Sequence, residues 1–247
     1  MIKKIKTTVG IIIIVAILLF GVPFGIKGGK FVTNYLNSSN FKLYFKPAVD
    51  SSKPLTDQTL PSQILKIKNN HAEFTESDLS LTQGSWQHFS DLDGLNRVGQ
   101  ANAMLGSDLM PHKKREPLTW QPTGFHNKNI GEKSDSGWLY DRCHLIGYQL
   151  TGENNNPKNL MTGTRSLNTP MMTKFENEVA QYIKTTKHHV RYRVTPVFKA
   201  NELVARGVQM QGQSVEDKTI NFNIYIQNVQ DNVTIDYQTG YSTINNQ

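Results

Sequence analysis

Trp138-Leu139-Tyr140-Asp141-Arg142-Cys143-His144-Leu145-Ile146-Gly147-Tyr148 sets an acid, a base, a thiol and an imidazole in four consecutive positions behind an aromatic and apolar run. The run reads as a buried strand that follows a turn-rich segment, residues 131–137. Buried strands rarely carry polar residues at this density without a use for them. Alternate side chains of an extended segment point to opposite faces, so Arg142 and His144 share one face and Asp141 and Cys143 the other. An imidazole can take a proton from water near neutral pH, and a guanidinium can grip a phosphate oxygen through forked hydrogen bonds. The pair suits phosphodiester chemistry.

Downstream lies Asn159-Leu160-Met161-Thr162-Gly163-Thr164-Arg165-Ser166-Leu167-Asn168, followed by Phe175, Val179, Tyr182 and Ile183 at helical spacing. That spacing predicts a helix over residues 170–184, with Pro170 tolerated in its first turn. Asn168 then lies at or just before the helix start, and Glu176 two turns further on faces the same side if the helix extends back that far. Alone, Asn168 reads as a helix cap and Glu176 as a solvated helix acid.

Asp141-Arg142-Cys143-His144, with Asn168 and Glu176 following in order, resembles the active site of the DNA/RNA non-specific endonucleases, ββα-metal (His-Me finger) nucleases whose usual motif is Asp-Arg-Gly-His. The resemblance extends to Leu92-Asp93-Gly94-Leu95-Asn96-Arg97-Val98-Gly99 and Asp108-Leu109-Met110-Pro111. Within the family the chain is most similar to the membrane-bound DNA-entry nucleases of Gram-positive bacteria. The resemblance implies His144 as general base, Asn168 as ligand to one Mg²⁺ (Mn²⁺ as a substitute), and DNA and RNA as substrates. Mg²⁺ keeps several waters and takes one or two protein ligands. Glu176 then holds metal-bound waters, Arg142 a phosphate oxygen, and Asp141 orients neighbours from the far face. Cys143 replaces the usual glycine; ordinary extended geometry is expected there, away from the chemistry. Its neighbour His144 faces the other way, so the two form no nucleophilic dyad.

Residues 1–30 stand apart from the fold. Lys3, Lys4 and Lys6 precede an apolar run over residues 9–26, closed by Lys27 and Lys30. A run of that length spans about 27 Å, near the thickness of a bilayer core. The flanking lysines put the remainder of the chain on the extracellular face. The segment reads as an uncleaved signal anchor, with a cleaved, secreted form as the alternative. Residues 31–62 read as a tether and residues 63–247 as the catalytic domain.

The formal charge of +7 falls to +3 without the lysines at 3, 4, 6 and 27, so contacts to nucleic acid must be local. His112-Lys113-Lys114-Arg115 is the best basic cluster, and with Arg165 it supplies the expected substrate contacts. The single cysteine excludes an internal disulfide framework, and no disulfide-linked partner is expected. Trp120, Phe125 and Tyr148 read as packing residues, and His188 and His189 as surface residues at a strand start. A short element is expected over residues 85–89, while residues 96–105 read as either helical or extended. Residues 190–198 and 221–229 alternate as strands. Another strand and a turn are expected over residues 200–213, and fraying after Tyr237. The fold class is α+β, a central antiparallel sheet carrying the strand–loop–helix site. Two other functions fit parts of this pattern: a nucleic-acid receptor of the same fold with little or no turnover, and a tethered adhesion domain, which would leave positions 141, 142, 144, 168 and 176 scattered.

Overall fold

The computed structural model describes residues 61–245. The expected anchor and residues 31–60 of the expected tether lie outside the described residues. Among those described, no helix is long and apolar enough to cross a membrane.

A six-stranded antiparallel sheet forms the centre. Its strands are β1 (Ile64–Lys66), β2 (Trp86–Phe89), β3 (Ala101–Leu105), β6 (Val190–Val197), β7 (Gly207–Ser214) and β8 (Asn221–Gln227), in the order β1-β8-β7-β6-β3-β2. Residues 96–105, open between helix and strand in the sequence, contain β3. Alternation divides the faces of β6. Val190, Tyr192 and Val194 are fully buried in the core, while Arg191 and Arg193 point the other way. On that outer face the Arg191 guanidinium lies 4.8 Å from the Phe74 ring and 4.9 Å from the Trp86 ring. Pro196 is accommodated because β3 stops pairing with β6 at Val194, so no partner on that edge needs its missing N–H.

The inner face of the sheet receives helix α2 (Thr173–Thr186), which follows the short α1 (Tyr148–Thr151). Phe175, Val179, Tyr182 and Ile183 are buried as their spacing requires, and the rings of Phe175 and Phe222 lie 5.1 Å apart. Truncating Phe175 to alanine there would cost about 3–5 kcal/mol. The helix starts three residues later than its periodicity implied. Thr169 is extended (φ −136°, ψ 120°), as the residue before a proline prefers. Asn168 therefore sits in an irregular turn, not on the helix, and the helical-face relation to Glu176 does not hold.

Strands β4 (Tyr140–His144) and β5 (Leu160–Thr164) form a separate antiparallel ribbon, in register from Tyr140↔Thr164 to His144↔Leu160. Asn228, fully buried at the end of β8, ties the ribbon to the main sheet. Its Oδ1 accepts from Thr164 N (2.8 Å), and its Nδ2 donates to the carbonyls of Thr162 (3.1 Å) and Ala205 (2.9 Å). The expected fraying after Tyr237 does not occur. Strands β9 (Val233–Ile235) and β10 (Ser242–Ile244) make a hairpin whose Val233, Ile235 and Ile244 pack on Leu139 and Tyr140, and Tyr140 OH donates to Gly240 O (3.0 Å). The few apolar residues of a polar tail thus have a surface to cover. Nor is the run before β4 wholly buried: Leu139 and Tyr140 are, but Trp138 is 48% exposed.

Candidate active site

The ribbon, the turn after it and α2 bring the sequence-distant polar residues together. Asn168 Nδ2 donates to Asp141 Oδ2 (2.7 Å), and Arg165 reaches the same carboxylate oxygen through Nη1 (3.0 Å). Arg165 also donates to both oxygens of Asp135 (2.6 and 3.1 Å), so two carboxylates engage it. Arg142 donates from Nε to Trp120 O (2.7 Å), and its guanidinium covers the Phe125 ring at 4.8 Å. Asp141, Arg142, Arg165 and Asn168 line one cavity of about 450 Å³, with Arg115 on its wall. β4 pairs with β5 alone, and the cavity is lined from both faces of β4, which is how neighbours of opposite orientation share it.

Cys143 has ordinary negative φ, as expected, but it does not stand apart from Asn168. Its buried Sγ donates to Asn168 Oδ1 (3.3 Å) and touches Met172 Sδ (3.5 Å). Burial, and then the charges of Glu176 and Asp141, push the thiol well up, so it is a neutral S–H beside the amide. Room for it comes from Gly163, where a Cβ would lie 2.6 Å from Cys143 Cβ.

His144 is 6% exposed and is not among the residues that line either cavity. Its Nε2 lies 2.6 Å from Asn154 O. A carbonyl can only accept, so Nε2 carries the proton and the neutral ring keeps its lone pair on Nδ1. Burial pushes the pKa down to about 4, Arg115 adding to the shift and the Asn154 carbonyl opposing it. The ring is thus neutral further into acid than the ordinary histidine value implies.

Glu176 is 5% exposed, not a solvated helix acid. Its Oε1 accepts from Gly147 N (2.9 Å). Burial pushes its pKa up to about 7, against the Gly147 N–H and the Arg115 charge. Gly147 leaves room for this carboxyl: a Cβ there would lie 2.6–2.8 Å from it, so the Glu176 side chain would have to shift. Asn159 holds this turn by bonding both the N–H and the C=O of Ile146 (2.9 and 3.0 Å).

Lys113 and Lys114 line a second cavity of about 440 Å³, together with Tyr148 and Asn154. Tyr148 OH donates to Lys113 O (2.7 Å), so it fixes the basic loop. His144 links the two cavities, its strand lining the first and its partner Asn154 the second. His188 and His189 lie elsewhere, half-buried against Asp217 (3.3 Å) and Glu216 (2.6 Å).

Among the described residues no three His, Cys, Asp or Glu side chains gather as a metal cluster. The donors near Asn168 are amide and carboxylate oxygens; the Cys143 thiol stays protonated, and the Met172 thioether is occupied by it. Such a set fits a hard ion that keeps most of its waters, for which Asn168 Oδ1 would be the protein ligand, with Asp141 bonded to the other end of the same amide. Asn154, Asn159, Asn228, Gly147 and Trp138 were not marked as functional by sequence reasoning. Asn159 and Gly147 stand inside the quoted stretches, but nothing local marks the asparagines as backbone ties.

A family model described as DNA/RNA non-specific endonuclease matches residues 79–216. The chain is similar to the crystal structure of NucA from Streptococcus agalactiae with magnesium ion bound, at 28% identity and TM-score 0.67, over 74% of this chain and 87% of that one. With no metal bound, NucA matches at 25% identity and TM-score 0.66, over 87% and 96% of the two chains. The structure of Sda1 nuclease with bound zinc ion matches at 27% identity and TM-score 0.57, over 63% and 80%.

Proposed function

Because this chain belongs to the DNA/RNA non-specific endonuclease family, we propose that it cuts DNA, and RNA as well, using His144 as general base and one Mg²⁺ held by Asn168. Membership makes it a metal-dependent nuclease acting on nucleic acid. The carrying observation is the meeting of Asp141, Arg142 and Asn168 on one cavity, beside an imidazole whose tautomer is set by Asn154.

In this reading His144 Nδ1 takes the proton of the attacking water, since Nε2 is committed to the Asn154 carbonyl. Arg142 spends Nε on Trp120 O and keeps its two terminal nitrogens for a phosphate oxygen. Asp141 and Cys143 orient the Asn168 amide from its two ends. Glu176, oriented by the Gly147 N–H, would hold water of a bound divalent ion. A bound divalent ion supplies Lewis-acid polarisation of the phosphate and neutralises charge on the leaving oxygen. The oxygen donors favour Mg²⁺ or Mn²⁺ over Zn²⁺ here. Lys113, Lys114 and Arg115 extend the contact along the backbone without reading sequence. The apolar run over residues 9–26 supports an anchored enzyme on the outer face of the bacterial membrane.

Nicking of supercoiled plasmid tests this reading. Wild type should nick with Mg²⁺ and stop in EDTA. His144→Ala should lose about 10²–10⁴-fold with an unchanged circular dichroism spectrum, and Asn168→Ala should lose its response to Mg²⁺. Near-wild-type nicking by His144→Ala rejects the base assignment. Plasmid that is bound but never cut points to the receptor alternative.

A further inference from the structure

Taking the chain as the nuclease just described, we propose that the cavity beside Asn168 receives an unpaired nucleobase stacked on Trp138, so that single-stranded or locally opened nucleic acid is the preferred substrate. Trp138 keeps 48% of its surface exposed, although the next two residues are fully buried. It lies on the wall of the same 450 Å³ cavity as Arg142 and Asn168, a volume in the range of small-ligand sites. The Phe125 ring in that cavity is already covered by Arg142 at 4.8 Å. Among the described residues no ring or guanidinium is stacked on Trp138. Its backbone is pinned, the carbonyl accepting from Ser134 Oγ (2.9 Å) and the N–H donating to Ser136 Oγ (3.3 Å), so the ring stands on a fixed base.

Two of the polar neighbours, Asn127 and Ser136, are committed to the backbone and do not read a base edge. Asn127 spends its oxygen on Tyr140 N (2.9 Å) and its nitrogen on Tyr140 O (3.0 Å), and Ser136 Oγ bonds the Trp138 backbone. What remains is an aromatic face flanked by guanidinium groups, which suits any base joined to a phosphate. Stacking tolerates all sequences because every base has a π-face, in keeping with a non-specific nuclease. Base faces inside an intact duplex are covered by their neighbours, so the ring can meet one only where pairing is broken.

The test is binding without turnover, in EDTA, of a labelled short oligothymidylate and of a blunt hairpin duplex, read by fluorescence anisotropy. Trp138→Ala should bind the single strand about tenfold more weakly, the scale of one base–aromatic stack, and the duplex within about twofold of wild type. Trp138→Phe, which keeps a ring, should retain the single-strand affinity. If Trp138→Ala does not fold, Trp138→Leu replaces it, keeping apolar bulk without a π-face. Unchanged single-strand binding, or equal losses on both ligands, overturns the proposal. Mg²⁺-dependent plasmid nicking, run in parallel, reports separately on the nuclease reading.

Discussion

Glu176 and His144 are both held near neutral by burial, with opposite consequences for stability. Between pH 4.5 and about 7 the unfolded chain ionises Glu176 while the folded chain keeps it protonated. Unfolding then releases a proton, so stability falls as pH rises through that window. For His144 the unfolded ring binds a proton below about 6.5 and the folded ring only near 4, so stability falls as pH drops through that range. Glu176→Gln keeps an acceptor for Gly147 N and removes the ionisation. In EDTA at pH 8 it should exceed wild type in urea unfolding by on the order of 2–3 kcal/mol, and match it near pH 4. A gap that does not change with pH would mean that ionisation of Glu176 is not what limits stability. Cys143, the family departure, touches the Asn168 amide directly, a consequence that face alternation along β4 did not reveal.

At the scale of elements, the turn between the ribbon and α1 matters most. Asn159 closes it, Gly147 admits the Glu176 carboxylate, and α2 delivers that carboxylate from its first turn. Gly147→Ala would place a methyl inside contact distance of the carboxyl. Overpacking of this kind costs about 1–3 kcal/mol, and nicking should fall with it. Glu176→Asp, one methylene shorter, should recover part of that stability in the double variant. Strict additivity in a double-mutant cycle would place the strain elsewhere.

Over the whole molecule, the charge that attracts nucleic acid is local. Lys113 and Lys114 line the cavity next to that of Asn168, joined to it through His144 and Asn154. A backbone crossing both would meet these lysines and Arg142 in turn. Replacing Lys113 and Lys114 with alanine should weaken duplex binding about equally for all sequences. The slope of log affinity against log salt should become shallower by about 0.9 for each phosphate that is no longer neutralised. An unaltered slope would return both lysines to a solvated loop. The opposite sheet face, where Arg191 is clamped by Phe74 and Trp86, takes no part in either cavity.

Periodicity in the sequence was enough to determine the helix after Asn168, the strands around Tyr192 and Ile224, and the α+β class, because burial of alternate or every third and fourth side chain leaves a local signature. The motif residues and their order were legible through the resemblance to the endonuclease family, which two short stretches of the chain carry. Only the tertiary structure decided that Trp138 stands exposed, that the tail folds over Tyr140, and that Cys143 shares a face with Asn168. It alone made Asn154, Asn159 and Asn228 structural ties. Each of those outcomes depends on what a distant segment places opposite a side chain, and amide side chains carry the same polarity whether they meet water or a buried backbone.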